Sequence, residues 1–116
     1  ITRGGSFNDT LLPTAAQHAT LMANTNFTTF SSLLEASPFH NRLHGLVGGT
    51  MGTASSPADP IFWLHHGFID KLFADWQILN PAAIHPNSSE ILKPSPIMTR
   101  TNAQVWSTLG LGYIYA

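Results

Sequence analysis

Residues Asp59 to Gln77, DPIFWLHHGFIDKLFADWQ, constrain the fold of this 116-residue chain more than any other stretch. The run has the length of a helix and is almost wholly apolar, yet it carries His65 and His66 side by side. Ile61, Leu64, Phe68, Leu72 and Trp76 form one stripe at helical spacing, and Phe62, Ile69 and Phe73 form a second that includes His66. A helix apolar on every side has to be buried, and a buried imidazole needs a partner. Upstream, His40-Asn41-Arg42-Leu43-His44 sets two more imidazoles on one helical face at i, i+4 spacing. Three converging imidazoles outline a metal site.

The rest of the chain reads as short helices joined by loops. Residues 1–12, with Gly4-Gly5 and Asn8-Asp9, lack helical periodicity and read as an opening loop. Pro13-Thr14 starts a helix to about Ala23 that carries His18, read as a partly exposed helix histidine. Phe27, Phe30, Leu33 and Leu34 predict a second helix to Glu35 or Ala36, stopped by Ser37-Pro38. A short helix bearing His40 and His44 follows and ends at Gly45 or by Gly48-Gly49, and residues 48–58 are loop. Asp59 caps the long helix and Pro60 suits its first position, where a missing N–H costs nothing; Pro81 ends it. Residues 81–99 hold four prolines and His85 and read as an irregular arm, followed by a last short helix at about Asn102 to Leu109. No stretch reads as a convincing strand, so the expected class is mainly α.

Composition excludes several functions. Net charge is −1 with no run of like charges, which speaks against nucleic acid and anionic membranes as partners. His65, His66, Asp70, Lys71 and Asp75 interrupt the longest apolar run, so it is not a membrane span. Cysteine is absent, which removes disulfides and thiolate ligands together. Only 9% of residues are charged, too few to cover a free surface, so part of the exterior is expected to face another polypeptide. The start at Ile1 suits a processed product or a fragment. Acceptor triplets at Asn8, Asn26 and Asn87 lean towards secretion and N-glycosylation.

An HxxxH pair alone is a weak metal signal, because such pairs arise on ordinary helix surfaces. A third histidine in a capped apolar helix strengthens it, and all-imidazole coordination suits copper or zinc better than magnesium or calcium. The bland alternative is a set of core histidines bonded to backbone carbonyls. Taken together, His40-Asn-Arg-Leu-His44, Val47-Gly48-Gly49, Met51, Asp59-Pro60-Ile61-Phe62-Trp63-Leu64-His65-His66, Asp70 and Trp76-Gln77 resemble the second copper-binding half of the tyrosinase, catechol oxidase and molluscan hemocyanin family. The match is dense from Glu35 to Gln77, and Tyr113-Ile114-Tyr115 resembles the tyrosine pair that closes the family's catalytic domain.

That resemblance implies part of an antiparallel four-helix bundle housing a binuclear copper site, residues 1–116 being the portion that binds the B copper. By motif position His40, His44 and His66 are the implied B-copper ligands, and His65 is a neighbour that does not bind metal. Phe62 and Asp70 lie one turn either side of His66, Phe62 to pack on its ring and Asp70 to orient an imidazole through its second nitrogen. The family's second histidine triad has no counterpart here, so an N-terminal A-copper polypeptide is the expected partner. With it, the implied activity is oxidation of phenols and o-diphenols to o-quinones by dioxygen. Asn41 and Glu35 are the implied pair that orients a water to deprotonate the incoming phenol, Glu35 being raised in pKa if burial is partial. Met51 and Ala54 are the expected mouth residues, and since no bulky residue other than Met51 lies in Thr50 to Pro57, the loop leans towards tyrosinase-type activity. An oxygen carrier of the hemocyanin kind, a catechol oxidase without monophenolase activity, and a copper-free relic or mononuclear metal module are the competing readings.

Overall fold

The computed structural model of the protein describes residues 1–6, 8–93 and 97–116. Among the described residues five helices follow one another: α1 (Ala15–Met22), α2 (Phe27–Glu35), α3 (His40–Val47), α4 (Pro60–Leu79) and α5 (Thr108–Leu111). Single 3-10 turns lie at Asp9–Leu11, Gly49–Gly52, Ser56–Ala58 and Asn102–Val105. The only β pairing among the described residues is an isolated bridge between Ile91 and Thr101. The chain is mainly α, as its sequence predicts.

Every helix but α3, which Phe39 leaves without a side-chain cap, begins where a side chain satisfies a free amide. Thr14 and Gln17 form a reciprocal capping box at α1, and the Asn26 carboxamide accepts from Thr29 N–H at α2. Asp59 accepts from Ile61 N–H at α4, with Pro60 in the first helical position. The helix expected at Asn102 to Leu109 instead divides, because Thr101 caps one turn and Ser107 caps a separate one. Residues 94–96 of the proline-rich arm lie outside the described residues.

One core holds α4 against α1 and α2. It is built from Leu21, Phe30, Leu34, Phe39, Leu72 and Trp76, with Phe27, Ile69, Phe73 and Trp106 packed on its edge. Trp76 is fully buried, lies against Phe30 with ring centroids 4.6 Å apart, and donates its indole N–H to the Asn24 carbonyl. The expectation that α4 is buried all round fails within this chain. Leu72 and Trp76 are buried, but Trp63, Leu64 and Phe68 are 66%, 77% and 46% exposed. The N-terminal half of α4 thus offers an uncovered apolar face beside the histidines.

The opening segment straps the histidine-bearing loop. Gly5 N–H donates to the Val47 carbonyl, and Thr50 N–H to the Thr2 carbonyl. Arg3 grips Asp59 through Nε at 2.9 Å and Nη2 at 2.7 Å. Gly49, at φ +54, lies against this strap so closely that a Cβ there would meet the Thr2 carbonyl oxygen at 2.2 Å.

A candidate metal centre between two helices

Helix α3 presents His40 and His44 on one face because they lie one turn apart, and α4 presents His65 and His66 towards them. The four rings form a single cluster. Centroids of His40 and His44 lie 4.8 Å apart, His40 and His66 5.0 Å, His44 and His66 5.7 Å, and His40 and His65 5.5 Å.

Hydrogen bonds decide which nitrogens are left for a metal. His44 Nδ1–H donates to the Met51 carbonyl at 2.7 Å, so the lone pair of His44 is on Nε2. His40 Nδ1 faces the Asn41 carboxamide oxygen at 3.1 Å and the Glu35 carbonyl at 3.3 Å, which again leaves Nε2 as the free lone pair. Nε2 of His44 and Nε2 of His66 are buried without a hydrogen-bond partner. A polar atom buried without a partner is costly, and a metal ion would satisfy both at once.

His65 is placed differently. It is only 4% exposed, and its Nε2–H donates to the His40 carbonyl at 3.1 Å. By distance alone, ring nitrogens of His40, His44 and His65 lie within 4.8 Å of one another. The bonding outweighs that proximity: His65 already has a partner, whereas His66 has none. Burial holds His65 well below the usual imidazole range, at about 4, and lowers His66 as well, with the neighbouring imidazoles adding to both. Burial therefore keeps both rings in the neutral form that a metal ligand requires.

The remaining residues singled out in the sequence divide. Phe62 stacks on His66 with centroids 4.0 Å apart and planes at 30°, in the expected packing position. Asp70 makes no hydrogen bond to an imidazole among the described residues; it accepts from Tyr113 Oη at 2.7 Å and Tyr115 Oη at 2.6 Å, because the tail folds back onto α4. The carboxylate accepting these bonds pushes both phenols up to about 12. Met51 is fully buried and contributes its carbonyl to His44, so its side chain does not line a mouth, whereas Ala54 is exposed in the loop. Glu35 is exposed where partial burial was expected, and Asn41 turns its amide oxygen to His40. His18 is exposed.

Two features escaped the sequence reading. Asp59 is held by Arg3 as well as capping α4; the guanidinium bond, reinforced by Ile61 N–H, lowers the carboxyl to about 2. His85 reaches back from the irregular arm to pack against Phe27 and Trp106, at 5.1 and 5.7 Å between centroids. Neither leaves a sequence signal, since Arg3 is 56 residues from Asp59 and His85 lies in a stretch without periodicity.

Two helices that bring four imidazoles together, with the buried Nε2 atoms of His44 and His66 unpartnered, make a helical protein with a candidate histidine metal site. Residues 2–79 match the common central domain of tyrosinase, and the chain belongs to that family. It is similar to the tyrosinase of Streptomyces antibioticus, 59% identical over 44 residues, covering 38% of this chain and 16% of that protein. The tyrosinase of Neurospora crassa is 40% identical over 79 residues, 66% of this chain and 10% of that protein. That of Oryzias latipes is 35% identical over 91 residues, 69% of this chain and 17% of that protein. The chain thus spans about a sixth or less of the curated relatives it matches. Among the described residues no helix is long and apolar enough to cross a membrane.

Proposed function

We propose that this chain is the B-copper portion of a tyrosinase-type oxidase, with His40, His44 and His66 holding one copper through Nε2. The observation that carries this is the pair of buried, unpartnered Nε2 atoms on His44 and His66, with His44 locked by the Met51 carbonyl in the metal-binding tautomer. His65 supports the site by holding the backbone of His40. Phe62 fixes the plane of the His66 ring by stacking.

Bound copper would supply the redox chemistry with dioxygen that turns phenols and o-diphenols into o-quinones. This chain contributes binding and orientation. Burial lowers the pKa of His66 and so favours its neutral, metal-binding form, and the cleft beside His66 gives an aromatic substrate an apolar approach. Four clustered histidines do not make two triads, so a second polypeptide segment would bring the A-copper ligands. The exposed face of Trp63, Leu64 and Phe68 supports such a partner beside the site. Exposed Asn8, Asn26 and Asn87 are consistent with a glycosylated, secreted protein.

A second reading has its own observation. The Asn41 amide oxygen lies 3.1 Å from His40 Nδ1, so it is engaged in fixing an imidazole and is not free to position a water. On that reading the completed enzyme oxidises o-diphenols and does not hydroxylate monophenols.

The test is copper titration of wild type and single His→Ala variants, followed by assay of a monophenol and a diphenol with the A-copper segment present. The proposal expects one copper per chain, lost in His40→Ala, His44→Ala and His66→Ala, and quinone formed from at least the diphenol. Reversible oxygen binding with quinone from neither substrate would instead make the protein an oxygen carrier.

A further inference from the structure

A cleft of about 400 Å³ runs along the groove between α2 and α4, with His66 and Glu35 among its lining residues and His85 and Trp106 also on its wall. Its length follows from α2 itself. Phe27 packs on His85 and Trp106, whereas the Glu35 carbonyl faces His40, so the two ends of α2 mark the two ends of the cleft. At 1.5 Å rise per residue, Phe27 and Glu35 are roughly 12 Å apart along the axis. The walls between them are aromatic: Phe27 meets Phe73 at 6.0 Å and Trp106 at 5.0 Å.

His85 gives the far end a defined polarity. Asn87 N–H donates to His85 Nδ1 at 3.0 Å, so that nitrogen is unprotonated and the neutral ring carries its hydrogen on Nε2. The ring is half-buried between Phe27 and Trp106 and lies on the cleft wall. The end nearest the clustered imidazoles carries the Glu35 carboxylate, so an acidic group is better accommodated at the His85 end.

Resting on the oxidase reading above, we infer that His85 is a specificity-determining residue, selecting phenols that carry a short para chain ending in a carboxylate. The ring lies on the aromatic walls with its hydroxyl towards His66, and His85 Nε2–H donates to the carboxylate at the opposite end. The residue acts on binding and takes no part in electron transfer.

The test uses the full copper-free chain with two probes of matched shape, 3-(4-hydroxyphenyl)propionate and 4-ethylphenol, with binding followed through the Trp106 indole resonance. The carboxylate probe should bind roughly tenfold more tightly, the expected effect of one charge-assisted hydrogen bond. His85→Leu, which keeps the apolar packing, should bring the two affinities within about twofold, with 4-ethylphenol little changed, while His85→Gln should restore part of the preference. An unchanged ratio in His85→Leu, or no movement of Trp106 with either probe, overturns the inference. Because the binding is read without copper, an affinity ratio that behaves as expected in a complex that forms no quinone would sink the oxidase reading alone. Quinone formation with a ratio indifferent to His85 would sink this one alone.

Discussion

Replacing Trp76 with alanine tests whether α4, and with it His66, is held by the aromatic contact with α2. The indole is fully buried, stacks on Phe30 at 4.6 Å and lies 6.0 Å from Phe27 and 6.3 Å from Phe73. Truncating such a side chain costs about 3–5 kcal/mol from lost burial and the cavity left behind. The Asn24 carbonyl loses its indole donor as well, adding about 1 kcal/mol. The sum, roughly 4–6 kcal/mol, is comparable to the whole stability of a domain this size. Trp76→Ala should therefore be largely unfolded at 25 °C. Trp76→Phe keeps the stack, loses the hydrogen bond and part of the volume, and should cost about 1–3 kcal/mol. Urea unfolding followed by far-UV circular dichroism and by near-UV signal separates the two. A folded Trp76→Ala, with its midpoint lowered by the equivalent of less than about 2 kcal/mol, would refute the claim that this contact anchors α4.

Other perturbations give distinct outcomes. Gly49→Ala combines φ +54 with a Cβ 2.2 Å from the Thr2 carbonyl oxygen, and thermal melts should show it destabilised, whereas Gly52→Ala, which meets nothing within 4 Å, should melt like wild type. The Asp59 carboxyl, held at about 2 in the folded chain against an ordinary value of 3.8, contributes stability that is complete above pH 4. That contribution is lost as the pH falls through about 2, and acid titration of Arg3→Ala should show it reduced to the part that the Ile61 N–H sustains. Tyr113 and Tyr115 should ionise near 12 by ultraviolet absorbance, and Asp70→Asn should bring both back towards the ordinary 10. Their raised values stabilise the fold below pH 10 and cease to do so as the pH rises through about 12, so the tail should detach in strong base.

Local chemistry was legible in the sequence, and pairings across distance were not. Asp59-Pro60 announces the start of α4, and the i, i+4 spacing puts His40 and His44 on one face, since both effects act within a turn of helix. The packing of Phe62 on His66 follows from the same spacing. Asp70 could not be placed this way: spacing sets it one turn from His66, but the returning tail decides that it meets tyrosines instead. Met51 sits in a loop whose composition suggests a mouth, yet its side chain fills the core and only its carbonyl serves the site. The continuous apolar run of α4 predicts burial all round, and Leu64 at 77% exposure shows that hydrophobicity alone does not say what covers it.

The most direct test of the account is a copper-edge anomalous difference map from crystals of the chain loaded with copper. The account predicts a single peak ligated by Nε2 of His40, His44 and His66, with His65 Nε2 still donating to the His40 carbonyl. A peak ligated by His65 in place of His66, or none within the cluster, would contradict it.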